Sequence, residues 1–148
     1  MIAFLVLGAW IAGLFAASAV PAQTTPFGLA KCDAEAARFS NIRLPQAVLA
    51  NGKPVAAGTY QVRLTTERPA PAAGQSSSAE CWVEFVKSGA VAGREVASVI
   101  SAEDISMVAK GPPGPNVSRV DLLKGSQYMR VWINSGGTHY IVNMPVAR

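Results

Sequence analysis

Histidine and cysteine are nearly missing from this chain: His139 is the one imidazole in 148 residues, and Cys32 and Cys81 are the two thiols. Two cysteines without CxxC spacing and a single histidine supply no zinc or redox signature, so no metal or cofactor is expected. Charge is sparse as well, at 15% of residues. The thirteen Lys and Arg against nine Asp and Glu give a net charge of +4, but they stand singly. Without a basic run there is no nucleic-acid footprint, and the excess serves solubility or a weak preference for anionic envelope surfaces. No G-x-S-x-G elbow is present. Ser135-Gly136-Gly137 joins strand to strand rather than strand to helix, so it forms no phosphate loop. No internal repeat occurs.

Charge is absent altogether before Lys31, and this absence has content. The apolar run Ile2-Ala3-Phe4-Leu5-Val6-Leu7 gives way to small residues and then to Val20-Pro21-Ala22-Gln23. That reads as a secretory signal with a small-x-small cut after Ala22, or earlier after Ala19, although the usual basic start is missing. The rival is a retained membrane anchor, because the run approaches the length of a bilayer span. Leu29-Ala30-Lys31-Cys32 superficially resembles a lipobox, but Lys31 stands where a small residue is needed. A cut after Ala22 leaves about 126 residues, a size that buries roughly two-thirds of its unfolded surface in one core. The expected organisation is a signal peptide over residues 1–22, an N-terminal segment over 23–40, and one domain over 41–148.

Both cysteines lie in the exported part, where an oxidising compartment makes a Cys32–Cys81 disulfide the default. Loop-closure entropy alone assigns such a bond on the order of 4 kcal/mol.

What is abundant is turn punctuation. Residues 33–39 have a short helix-like composition with Asp33 as cap, and everything after them reads as β. Residues 42–44 and 46–50 are short strands, the second ending at the Asn51-Gly52 turn signal. After Ala57-Gly58, Tyr60, Val62 and Leu64 point one way while Thr59, Gln61 and Arg63 point the other. Residues 68–78 are a long loop rich in breakers. Strand patterns resume at 81–87, 94–101 and 105–109, the last stopping at a stiff Gly-Pro-Pro-Gly-Pro loop. Residues 119–123, 127–134 and 138–144 form a meander with Gly-containing turns. The sum is an all-β chain of seven or eight antiparallel strands, a β-sandwich or alternatively a small antiparallel barrel, preceded by a short helical or irregular segment.

The string Gly52-Lys53-Pro54-Val55-Ala56-Ala57-Gly58-Thr59-Tyr60-Gln61-Val62 resembles the G-K-x-L-x-A-G-T-Y-x-V segment of small secreted bacterial β-sandwich proteins, many of unknown function. The resemblance implies a β-sandwich and export. It carries no catalytic residue.

A serine nucleophile would have to use His139 with Asp104 or Asp121 as orienter. Glu84 shares a strand face with Trp82, which suggests a glycosidase acid, but glycoside hydrolysis needs a second carboxyl at fixed separation and none is indicated. One constellation stands out. With an even-length hairpin loop, Met129, Val131 and Ile133 share a core face with Thr138, Tyr140 and Val142. The opposite face carries Tyr128, Arg130, Trp132 and His139, a candidate platform for a glycan or an envelope protein. The competing reading, preferred because a large exposed ring is uncommon, covers Trp132 and Ile141 with the N-terminal segment or another sheet. A secreted binding or structural module is therefore preferred over a secreted hydrolase using His139 or a barrel holding a small apolar ligand. A membrane association would run only through an uncleaved N-terminal segment.

Export gives a direct test. The mature protein is expected to begin near Val20 or Gln23, as read by N-terminal sequencing of the exported material; an intact Met1 in the membrane fraction identifies the apolar run as an anchor.

Overall fold

A computed structural model describes Cys32, residues 38–70 and residues 80–148. The expected signal peptide over residues 1–22, residues 33–37 of the expected helix-like stretch and most of the breaker-rich loop lie outside the described residues, while Arg38 and Phe39, the end of that stretch, are strand rather than helix.

The fold is all-β and antiparallel. Among the described residues nine strands and one helical turn follow the order β1 (Arg38–Leu44), β2 (Val48–Ala50), β3 (Lys53–Val55), β4 (Gly58–Leu64), β5 (Glu80–Lys87), β6 (Ala90–Ile100), α1 (Ile105–Val108), β7 (Ser118–Leu123), β8 (Tyr128–Ser135) and β9 (Thr138–Pro145). Seven of them make one continuous sheet in the order β1-β4-β5-β6-β9-β8-β7, and β2 and β3 make a separate hairpin. The sheet curls into a half-barrel whose edge strands β1 and β7 approach each other without joining in a ladder. Phe39 and Val120, one from each edge strand, lie half-buried against the core. Of the two antiparallel forms expected from sequence, the arrangement combines features of both: a curled sheet, with the hairpin as a small second layer.

The curl follows from alternation. Tyr60, Val62 and Leu64 of β4 are buried while Thr59 and Gln61 are exposed. The same period brings Ile42 and Leu44, Val83 and Phe85, Ala97 and Val99, Met129, Val131 and Ile133, and Tyr140, Val142 and Met144 into one core. Burying each large apolar side chain contributes about 1.5–3 kcal/mol. The β8–β9 register pairs Val131 with Val142 and Ile133 with Tyr140, as the even-length loop requires.

The hairpin docks on this concave face. Asn51 and Gly52 have φ of 47° and 74°, a primed turn that matches strand twist. The buried Val48, Ala50 and Val55 point into the core. Residues 53–55 pair with β2 through Val48, Leu49 and Ala50. Glu95 of β6 accepts the Asn51 N–H at 2.6 Å, and a bridge from Val48 to Val146 fixes the other end.

The motif around Tyr60 has a local mechanical meaning. The Tyr60 hydroxyl donates to the Ala56 carbonyl at 2.8 Å, a tie four residues back that resembles the tyrosine corner of sandwich domains. Between them Gly58 adopts φ 153°, with Lys87 Nζ 3.2 Å from where a Cβ would stand.

Cys32 and Cys81 are joined, with Cα atoms 5.6 Å apart. The bond ties residue 32 to the start of β5.

Residues 105–109 depart from expectation: Ile105–Val108 is a single helical turn rather than a strand. Ser101 Oγ accepts the Asp104 N–H at 3.2 Å and donates to Asp104 Oδ2 at 2.8 Å. This closed turn starts the helix, and only Ile105 of the four residues is buried.

Close packing at Gly93 generates a prediction. A Cβ there would lie 2.3 Å from Val55 Cγ2 and 3.2 Å from Ala50 Cβ. Gly93→Ala should destabilise by about 1–3 kcal/mol in urea unfolding, the range for overpacking. Gly114→Ala, where the nearest atom is 4.0 Å away, should cost less; equal costs would show that the hairpin does not press on β6.

Candidate functional site

The convex face of the sheet carries most of the polar chemistry. Across β7, β8 and β9 the register sets Arg119 beside Trp132 and Trp132 beside Ile141, Asp121 beside Arg130, and Asn134 beside His139. The expected grouping of Arg130, Trp132 and His139 on one face is therefore present, with Tyr128 at its end.

Its exposure is not. Trp132 is 0% exposed and His139 is 3% exposed, which corrects the reading of these residues as an open recognition platform. Among the described residues the cover is not another sheet. It is residues 101–117, which place Ile105 and Ala109 against Trp132 and Ile141 to make a second, smaller apolar cluster with Ile100. Tyr128 remains 37% exposed, with Lys124 Nζ 5.0 Å from its ring centre. The Arg130 side chain is 20% exposed.

Trp132 is held on every side. The guanidinium carbons of Arg119 and Arg130 stand 5.1 and 4.8 Å from its ring centre, contacts worth up to about 2 kcal/mol each when desolvated. Its indole N–H donates to His139 Nδ1 at 3.1 Å. Indole only donates, so that imidazole nitrogen carries no proton. Burial lowers the His139 pKa below its usual value, consistent with a neutral ring.

Asp121 binds both arginines, accepting from Arg130 Nη2 at 2.7 Å and from Arg119 Nε at 3.1 Å. Burial pushes its carboxyl pKa up, but the hydrogen bonds and charges of Arg130 and Arg119 outweigh this and hold it below the usual carboxylate value.

Polar contacts fasten the cover. Asn134 donates to the Pro113 carbonyl at 2.9 Å and its backbone N–H to the Val117 carbonyl at 3.0 Å, while Arg119 donates to the Gly111 carbonyl at 2.8 Å. Asn134 also accepts the Gly137 N–H at 3.0 Å, so one buried amide locks both the β8–β9 turn and the proline loop.

The other sequence candidates are also engaged in pairs. Glu84 meets Arg63 at 2.7 Å. Arg94 lies 4.7 Å over Trp82 and bonds Glu67. Asp104 bonds Ser101 and Asp121 bonds two arginines, so neither acid considered as an orienter for His139 is paired with it. Among the described residues no group of three or more His, Cys, Asp or Glu is placed to hold a metal ion.

Sequence reading passed over Arg119 and Asn134 as functional positions. Extending the β8–β9 register through the Lys124-Gly125 turn would have set Asp121 opposite Arg130. No periodic signal marks the loop that covers them.

No protein family, curated protein or solved structure matches this chain.

Trp132→Ala is expected to cost the roughly 3–5 kcal/mol of a core aromatic in urea unfolding. A loss below about 1 kcal/mol would restore an exposed, weakly held ring.

Proposed function

We propose that the chain is an exported, non-catalytic β module with a binding or structural role in an oxidising compartment. The observation that carries this reading is the mutual engagement of the convex-face side chains on which chemistry could have been built. His139 is committed to Trp132, Asp121 to Arg119 and Arg130, Glu84 to Arg63 and Glu67 to Arg94. General acid–base chemistry needs a group free to meet a substrate and a pKa matched to the task. Side chains paired in this way bridge neighbouring strands and loops instead.

The compartment is supported by the Cys32–Cys81 bond, because disulfides persist in oxidising surroundings. Among the described residues no helix is long and apolar enough to cross a membrane. A partner, whether glycan or envelope protein, would be met through side chains other than the buried Trp132.

The test compares purified wild type with His139→Gln and Glu84→Gln on chromogenic esters, amides and glycosides. Hydrolysis at the uncatalysed background is the expected result for all three. Turnover by wild type that disappears in either variant would make the protein a hydrolase.

A further inference from the structure

We infer that residues 101–117 form an acid-sensitive cover, held shut by the neutral His139 imidazole and released when Nδ1 takes up a proton.

The device rests on one incompatible pair. His139 Nδ1 accepts the Trp132 indole N–H at 3.1 Å, and both side chains are buried. A proton on Nδ1 leaves two donors pointed at each other, and the indole has no means of accepting. Among the described residues no carboxylate is bonded to the ring, so the new charge has no counter-ion already in contact with it. On β8 the ring faces Trp132, Asn134 and, farther along, Arg130. On β7 the charged groups are Arg119 and Asp121, and this acid already binds both arginines. β6 offers Ser98 and Ile100, which do not ionise. The cover contributes Asp104, bonded to Ser101, and the solvent-exposed Glu103 and Lys110. An imidazolium would therefore sit in a desolvated position beside an indole already flanked by two guanidinium groups.

Relief lies in moving the cover. Asn134, which clamps Pro113 and Val117, is the cross-strand neighbour of His139. Ile105 and Ala109 pack on the indole that His139 holds. Loss of the indole bond loosens the surface on which the cover rests, while the concave core lies on the other side of the sheet.

The sign follows from linkage. In the closed form the imidazole pKa is depressed, whereas in the open form it returns towards about 6.5. The neutral ring's contribution to closure is thus fully present above about pH 6.5 and is lost progressively as pH falls below it. The limit is a tenfold change in the opening equilibrium per pH unit, down to the closed-form pKa.

Amide hydrogen exchange, corrected for the intrinsic rate, tests this between about pH 7.5 and 5. Protection at Ala109, Val117 and Asn134 should fall by up to about tenfold per unit below about pH 6.5, while β4 and β5 stay unchanged. His139→Gln, which can accept but does not titrate, should flatten the profile. Should that variant fail to fold, imidazole titration by NMR in wild type must share its midpoint with the loss of protection. A flat wild-type profile overturns the inference, as does a profile unaltered by His139→Gln, a mismatched midpoint, or equal loosening of β4 and β5.

Discussion

A single sheet has two faces and only one interior, and that constraint governs the molecule. Among the described residues the second sheet has only two strands, too few to cover seven, so the apolar face closes upon itself by curling. The hairpin of β2 and β3 then fills the space that the curl leaves, which is why Gly93 of β6 has no room for a side chain. Curvature also requires local irregularity. The β1 register shifts between Phe39 and Ile42, with Asn41 at φ 65°, and β5 shifts against β6 between Phe85 and Val86. Such bulges bend a strand and raise its twist.

The convex face meets the same constraint differently. Near β4, β5 and β6 its residues are charged and remain partly wet, as ion pairs of the Arg63–Glu84 kind, each of small energetic value. Near β8 and β9 it carries Trp132 and Ile141, which water does not tolerate as cheaply. A loop of low regularity is drawn over them, and arginines bridge the boundary because a guanidinium can lie on an aromatic ring while bonding a carboxylate. Arg119 does all three tasks: it stacks on Trp132, pairs with Asp121 and holds the Gly111 carbonyl.

Much of the fold was legible because period-two alternation is local. Tyr60, Val62 and Leu64, the β8–β9 register and the sidedness of Trp132 all follow from which residues alternate and how long the turn is. The cysteine pairing was legible because the chain has two thiols and no third to compete. The candidate site was legible only in part, since a face can be assigned from pattern whereas its exposure depends on what lies above it. Residues 101–117 have a sequence dominated by glycine, proline and short apolar fragments, and nothing in their spacing says where they rest. The single turn at Ile105 failed as a strand reading for a related reason. Four residues are too few for either period to declare itself, and the Ser101–Asp104 hydrogen bonds decide the matter.

The two cores are of unequal size, and stability will not be shared evenly between them. The concave cluster draws side chains from the hairpin and from β1, β4, β5, β6, β8 and β9, so its opening requires the whole sheet to come apart. The convex cluster joins Trp132 and Ile141 of the sheet to little more than Ile105 and Ala109 of the cover. Elements with few buried apolar contacts open at a free energy well below that of global unfolding. Met107 and Val108 illustrate the difference, since they sit on the same helical turn as Ile105 yet are 77% and 58% exposed. The cover is thus attached by one apolar side chain of its helix, several loop hydrogen bonds and the arginine that spans them. Among the described residues local opening is expected to begin at that attachment, because there a small loss of packing releases a long stretch of chain.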